Sequence, residues 1–333
     1  MPQLWLLLLM VIKSSTTTSF MITPAISTSS TTHHLHESSP TSISIHEHEH
    51  ESKILIPVTG VTLKMAFDKN YAVADSSEFK STRFTSPQSL DLVHQLRRNS
   101  DCILVGKGTV IRDDCTLTVR RVALFANTLP PARVVIDSNL EILAKISEGN
   151  CSSGNEEQEN EEHQENETRE ASSSFALLQD GLDVIVYHTC PLDDMHQQAM
   201  DMNGNLTLVQ LPIVNSDIIN SNSDSKSDSD SKKGMSPMQI IRDLKSRNMH
   251  NVMVEGGPAT AIPFLKEQIV DRAIIIRAPV TFIEPVASNM NDDMLIEAGL
   301  VFLEEKDVGG DRVEYWVREG MQWPTASVTD WPL

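Results

Sequence analysis

The chain has 333 residues, 40% of them hydrophobic, and a formal net charge of −19. That length and apolar content support one large domain or two ordinary ones with a buried core, and they exclude a wholly disordered protein. Acidic residues outnumber basic ones by 46 to 27, which speaks against a surface that tracks nucleic-acid phosphates; the four cysteines include no Cys-x-x-Cys pair, so neither a disulfide framework nor a structural zinc cage is expected.

The longest apolar run, Leu4 to Ile12, is far shorter than the roughly 20 residues a membrane span needs, so no transmembrane segment is expected. It fits the apolar core of a cleavable signal. The stretch after it is rich in Ser and Thr, has no acidic residue up to His36, and passes through Ser19-Phe20. Together these resemble the two-part import signals of algae with complex plastids, which predicts a plastid (chloroplast) location, with the secretory pathway as the alternative. His46, His48 and His50 alternate with Glu47 and Glu49, but nothing apolar surrounds them to fix a ligand geometry, so a solvated linker is expected there. Residues 1–53 are therefore read as targeting segment and linker.

The folded body runs from 54 to 320. Val58 to Met65 reads as a first strand. Pro87 to Arg98 has Leu90, Val93, His94 and Leu96 at helical spacing, with Ser86 as N-cap and Pro87 in the first helical position. Cys102 to Val105 is a short buried strand that runs into Gly106-Lys107-Gly108-Thr109, where Thr109 is placed to cap or to bond a ligand. The following stretch, Asp113-Asp114-Cys115-Thr116-Leu117-Thr118-Val119-Arg120, reads as one loop. Arg97 and Arg120 offer a guanidinium fork for a phosphomonoester, or else surface ion pairs with Asp101 or Asp113.

Arg133 to Ile136 and Asp183 to Tyr187 repeat the strand signal. Between them, residues 147–174 carry nine Glu from Glu148 to Glu170 against Arg169 alone, contributing about −8 to the total charge. With so little to bury, that stretch is expected to be a disordered insertion, as is the Ser, Asp and Asn-rich stretch 215–234. Asn150, Asn166 and Asn205 begin glycosylation sequons, which carry little weight without a compartment. Met238 to Arg247 reads as a helix and Asn251 to Val254 as a strand that ends in Glu255-Gly256-Gly257-Pro258. Two glycines at a strand-to-helix handover fit either a phosphate cradle or a tight turn needing positive φ, and they are not the GxGxxG fingerprint. A helix from Ala259 to Glu267, a strand from Ala273 to Ile276, and two strands, Leu300 to Leu303 and Arg312 to Val317, joined through Asp307-Val308-Gly309-Gly310, complete the body; 321–333 is a tail. The rhythm predicts an α/β domain with a mixed sheet, parallel through the helices and antiparallel at its end, whose two glycine-bearing strand exits open a cleft.

Taken together, these motifs carry a resemblance: Val61-Thr62-Leu63-Lys64-Met65-Ala66, Ser81 to Ser86, Val93-His94-Gln95-Leu96-Arg97, Asp101 to Thr109, Asp113-Asp114, Leu117 to Arg120, Arg133 to Ser138, Val254 to Gly257 and Leu265 to Pro279, in that order. The chain resembles the pyrimidine reductases of riboflavin biosynthesis, the C-terminal reductase domain of the bifunctional deaminase-reductase family. The resemblance implies a dihydrofolate-reductase-like, three-layer α/β fold with a mixed sheet, helices on both faces and a C-terminal antiparallel hairpin. It implies an oxidoreductase that uses NADPH to reduce the ribose of 5-amino-6-(5-phosphoribosylamino)uracil, or of its diamino-pyrimidinone counterpart, to the ribityl product, and that works as a homodimer. Position by position it puts Ala66, Thr109, Asp113, Ser138 and the turn Gly257, Pro258, Ala259 and Thr260 at the cofactor. It puts Ser81, Arg97, Leu117, Arg120 and Glu255 at the substrate, nominates Asp113 and Glu255 for the polar catalytic roles, and implies no metal.

The chain departs from the family at three places. Ser-Leu-Asp-Gly after the first strand is replaced by Asp68-Lys69-Asn70-Tyr71, an aromatic residue by Arg83, and the Pro after the paired acids by Cys115. No Pro-Cys-x-x-Cys follows a His-x-Glu, so the zinc deaminase half is not expected. The changed turn leaves open an inactive or repurposed nucleotide-binding protein of the same fold, and a different pteridine-like or sugar-phosphate substrate is a third reading. Lys107, Arg112 and Arg83 are the candidates for a cofactor 2′-phosphate.

Overall fold

The computed structural model describes residues 58–77, 83–151, 175–215, 233–324 and 331–332. The targeting segment, the His46 to His50 tract, Ser81 and most of both inserts lie outside the described residues.

In chain order the strands are β1 (Gly60–Phe67), β2 (Ala72–Asp75), β3 (Cys102–Gly106), β4 (Ala132–Ile136), β5 (Val184–His188), β6 (Leu206–Gln210), β7 (Val214–Asn215), β8 (Lys233–Gly234), β9 (Asn251–Val254), β10 (Arg272–Arg277), β11 (Pro285–Ala287), β12 (Leu300–Val308) and β13 (Asp311–Arg318). The helices are α1 (Pro87–Arg98), α2 (Lys107–Asp113), α3 (Glu141–Cys151), α4 (Asp194–Met202), α5 (Pro237–Ser246), α6 (Pro258–Lys266) and α7 (Asp292–Glu297).

Nine strands form one sheet in the order β12-β13-β10-β1-β9-β3-β4-β5-β6. From β10 to β6 neighbours are parallel, and β13 and then β12 join antiparallel. The inner strands read as apolar runs because both their faces are covered: every residue of β5 and β9 is buried. Alternate residues separate the two cores. Val61, Leu63, Leu104, Val252 and Val254 pack with Ile240 and Leu244 of α5 and Phe264 of α6. On the opposite face, Ile103, Val105 and Val135 pack with Val110 of α2 and Leu143 of α3, while Met253, Ile274 and Ile276 pack with Leu92, Val93 and Leu96 of α1. This is the expected three-layer architecture with a terminal hairpin.

Some boundaries moved. The residues after Gly106 form a helix, α2, that takes in Asp113, the first residue of the expected 113–120 loop; it forms because Val110 is fully buried against the sheet and offsets the weak helix propensity of Gly108. Helix α3 runs into the start of the expected 147–174 insert, since Ile142, Leu143 and Ile146 hold it on the core. β7 pairs with β8 and joins the two ends of the 215–234 segment. In the tail, Trp323 and Trp331 are buried, with Trp323 edge-on to Tyr315 at 5.4 Å.

The connections decide where a cleft forms. The chain leaves β3 through α2 on one face and leaves its neighbour β9 through α6 on the other. Adjacent parallel strands whose exits diverge leave a crevice at their carboxyl ends.

Candidate active site

The crevice is bounded by Gly106 at the end of β3 and by Glu255-Gly256-Gly257 at the end of β9. Glycine is needed at two of these positions for room. A Cβ on Gly106 would lie 2.5 Å from Thr260 Oγ1, and one on Gly256 would lie 2.7 Å from Thr260 Cβ, so both let the first turn of α6 settle onto the strand ends. Neither Gly256 nor Gly257 has positive φ, which removes the tight-turn alternative as the reason for the pair. Gly257 is the N-cap of α6 at φ −71°, no side chain caps it, and a Cβ there would meet nothing within 4 Å. The positive end of the helix therefore opens onto free space, a cradle suited to an anionic pyrophosphate.

The other expected cofactor residues border the same edge of the sheet. Ala66 lies near the end of β1, paired with Ile276. Thr109 is half-buried inside α2, and Asp113 ends that helix with a buried Oδ1 that has no hydrogen-bond partner among the described residues. Ser138 follows β4, and its carbonyl accepts from the Thr189 amide at 3.1 Å. Thr260, in the first turn of α6, is the residue that the two glycines admit.

Beside this cradle, on the α1 face, charged groups converge. Parallel pairing of Leu63 with Val254 sets Lys64 next to Glu255, and their Nζ and Oε1 are 3.7 Å apart. α1 brings in Arg97, whose Nε donates to Glu255 Oε2 at 2.8 Å, its Nη2 to Oε1 at 2.9 Å, and its Nη1 to the Thr118 carbonyl at 3.0 Å. Burial alone would raise the Glu255 pKa, but Arg97 and Lys64 outweigh it and hold the carboxyl below its ordinary value. Such a carboxylate accepts hydrogen bonds and does not deliver protons near neutral pH. Burial, aided by the charge of Arg97, brings the Lys64 ammonium below its ordinary pKa despite Glu255. Lys64 was not singled out by sequence, where it reads as the polar member of an alternating strand.

The loop after α2 lies along α1. Leu117 is buried with φ 53°, and Asp114 at φ 43° turns the chain out of the helix. The Arg120 amide donates to His94 Nδ1 at 3.2 Å, its guanidinium to Thr116 Oγ1 at 3.0 Å, and Arg121 donates to the Pro87 carbonyl at 3.2 Å. Burial, reinforced by Arg97 and Arg120, lowers the His94 pKa to about 4 and keeps the ring neutral. The ion pairs considered for Arg97 and Arg120 do not form: Asp101 instead accepts from the amides of His250 and Asn251. Of the candidates for a 2′-phosphate, Lys107 pairs with Glu141, Arg112 donates to the Asp75 carbonyl at 3.0 Å, and Arg83 is exposed without an ion pair among the described residues.

The altered turn after β1 is held by its own buried carboxylate. Asp68, fully buried, accepts from the amides of Asn70 at 2.7 Å and Ala72 at 2.8 Å with one oxygen, and from Phe282 at 3.2 Å with the other. Tyr71 takes the left-handed conformation at φ 63°, and its ring lies 4.1 Å from the Arg277 guanidinium carbon.

A sheet parallel through seven strands and closed by an antiparallel hairpin, with a cleft at the divergent exits, is dihydrofolate-reductase-like. Solved structures share this fold. RibD of Acinetobacter baumannii superposes with a TM-score of 0.52 at 18% identity, over 78% of this chain and 58% of that one. The diaminohydroxyphosphoribosylaminopyrimidine deaminase/5-amino-6-(5-phosphoribosylamino)uracil reductase of Thermotoga maritima gives 0.51 at 19%, over 78% and 56%. The chain belongs to the RibD C-terminal domain family, whose model matches residues 61–284. Riboflavin biosynthesis protein RibD of Aquifex aeolicus is 27% identical over 221 residues, 66% of this chain and 46% of the relative. The 2,5-diamino-6-ribosylamino-4(3H)-pyrimidinone 5′-phosphate reductase of Methanothermobacter thermautotrophicus is 38% identical over 82 residues, 25% of this chain and 36% of that protein. The chain thus spans about half the length of the RibD relative from Aquifex that it matches.

Proposed function

We propose that this protein is an NADPH-dependent reductase of a ribosylaminopyrimidine 5′-phosphate, converting its ribose to the ribityl chain. The observation that carries the reading is the juxtaposition of an uncapped, glycine-led helix end with a guanidinium cluster in one crevice. The first fits a pyrophosphate and the second a sugar phosphate. Family membership supports the chemistry, and the relatives named as pyrimidinone phosphate reductases support the substrate class.

The open space over Gly257 supports a nicotinamide dinucleotide held by Gly257, Pro258, Ala259 and Thr260, with Ala66, Thr109, Asp113 and Ser138 along its length. When bound, NADPH supplies a hydride to C1′ of the ring-opened, imine form of the ribosylamine, and the nitrogen takes up a proton. The residues of this chain position the acceptor. Arg97, Arg120 and Leu117 line the sugar-phosphate side, while Glu255, kept ionised by Arg97, accepts hydrogen bonds from the substrate and fixes C1′ against the hydride donor. Lys64, made more acidic by burial, is the proton source beside Glu255. The unpartnered Asp113 oxygen is an acceptor for cofactor or substrate.

Two further parts of the reading concern the whole molecule. The exposed Val301, Phe302 and Leu303 on β12, the edge strand of the sheet, support a homodimer joined through the terminal hairpin. The apolar and then hydroxyl-rich N-terminus supports plastid import.

The test is direct. The full chain, given NADPH and either the uracil or the diamino-pyrimidinone form, is expected to lose reduced-nicotinamide absorbance and to yield the ribityl phosphate by mass spectrometry, with NADH weaker. No turnover of either form, with cofactor binding intact, would instead support a repurposed nucleotide-binding protein.

A further inference from the structure

A leucine in the left-handed region is strained, and such strain persists only where the surroundings fix it. Leu117 is held there at φ 53°, buried, where the chain after α2 turns to lie along α1. A ladder of bonds fixes the stretch that follows. Arg97 Nη1 donates to the Thr118 carbonyl at 3.0 Å, the Arg120 amide donates to His94 Nδ1 at 3.2 Å, and Arg121 Nε donates to Asp91 Oδ1 at 2.5 Å. Asp91, His94 and Arg97 are spaced three apart and so share one face of α1. The loop runs back along the helix as it advances, and its register depends on these rungs.

The rungs are unequal. Arg121 and Asp91 are both well exposed to solvent, so their pair adds little. Arg97 is shared, because its Nε and Nη2 are given to Glu255. His94 differs from both: it is buried, and it takes the main-chain amide of Arg120 itself. Burial beside Arg97 and Arg120 keeps the imidazole uncharged at neutral pH, which leaves Nδ1 with a lone pair to offer and places the proton on Nε2. With its amide held by His94 and its guanidinium steered by Thr116 Oγ1 at 3.0 Å, Arg120 is fixed at both ends.

We infer that His94 is a positioning residue of this site: its Nδ1 sets the register of residues 118–121 along α1 and so holds the Arg120 guanidinium where the phosphate of the substrate enters. The entry of a phosphate there rests on the proposed function; the tether between helix and loop does not. An apolar ring in place of His94 fills the same space but strands the Arg120 amide, so the loop gains by leaving its register.

The test compares His94→Phe with His94→Gln, whose amide oxygen can still accept. In the full chain, His94→Phe is expected to speed hydrogen–deuterium exchange of the 116–122 segment and to weaken ribose 5-phosphate binding, read by calorimetry, about 10-fold, the scale of one stranded donor. His94→Gln should restore most of both, and NADPH affinity should not change in either. In the reductase assay the loss should fall on KM and not on kcat. In an Arg120→Ala background, His94→Phe should cost no further affinity, since the effect passes through that arginine. Unchanged exchange or unchanged affinity in His94→Phe would overturn the inference, as would a further loss in the Arg120→Ala background. Wild-type protein that does not bind ribose 5-phosphate would overturn both this role and the proposed function. The expected exchange and binding pattern without reductase turnover would sink the enzymatic reading and leave the role of His94 standing.

Discussion

Arg97 and Glu255 meet at two points, Nε to Oε2 at 2.8 Å and Nη2 to Oε1 at 2.9 Å, and both side chains are almost wholly buried. Removing one partner of a buried pair strands the other charge, which costs about 3–5 kcal/mol. Arg97→Ala is therefore expected to lower the urea-unfolding free energy by about 3 kcal/mol, and Arg97→Lys, which keeps the charge but loses the fork, to restore only part of it. The pH dependence follows from the depressed Glu255 pKa. Its contribution is present above the carboxyl's ordinary value and is lost as pH falls through the lower folded one. A cost for Arg97→Ala below about 1 kcal/mol, the scale of an exposed pair, would show that the pair is not buried in solution.

His94 acts in a different pH range. Its pKa falls from the ordinary 6.5 to about 4 because the ring is buried beside Arg97 and Arg120. Between those values the unfolded chain binds a proton that the folded one refuses, so stability rises with pH across that window and falls on acidification. The effect is on the order of 3 kcal/mol by linkage. His94→Gln is expected to flatten this slope in urea midpoints measured from pH 7 down to pH 4. An unchanged slope in His94→Gln would place the titration elsewhere.

The strands were legible because β3, β5, β9 and β10 are apolar runs that burial on both faces explains, and β1 alternates apolar and polar residues. α4 and β6 were not legible. The stretch from Asp193 to Gln210 is poor in strong apolar residues, and its helix depends on a capping box between Asp193 and His196. α2 was hidden by Gly106 and Gly108, since local propensity reads two glycines as a loop while Val110 is drawn into the core. At the site, the glycine pair and the arginines could be read from sequence, but their allegiances could not. Whether Arg97 faces Asp101, a ligand or Glu255 depends on α1 lying across β9, and the role of Lys64 depends on a strand pairing across about 190 residues of chain.

Asp68 is the residue that keeps the altered turn in shape. Three backbone amides donate to its carboxylate, at Asn70, Ala72 and Phe282, and the side chain is fully buried. Asp68→Ala would orphan all three donors, each worth about 1 kcal/mol or more when left without a partner. The expected loss is about 3 kcal/mol in thermal or urea unfolding, with Asp68→Asn less affected because its amide oxygen still accepts. Loss of NADPH binding in Asp68→Ala without loss of stability would make the turn a ligand contact instead of a structural one.

The glycines of the crevice separate packing from binding. An alanine at Gly106 would press its Cβ to 2.5 Å from Thr260 Oγ1, with Thr260 Cβ at a comfortable 3.9 Å. At Gly256 the Cβ would lie 2.7 Å from Thr260 Cβ itself. Both substitutions should destabilise by about 1–3 kcal/mol, the usual cost of overpacking. Thr260→Ala removes the hydroxyl and the methyl but keeps Cβ, so it should rescue Gly106→Ala and leave Gly256→Ala impaired. Gly257→Ala meets no atom of the protein within 4 Å and has an ordinary negative φ. It should therefore keep the wild-type melting temperature while weakening the affinity for NADPH measured by fluorescence titration, because its methyl would fill the space left for the pyrophosphate at the head of α6. Wild-type affinity in Gly257→Ala would mean that the dinucleotide does not cross this helix end.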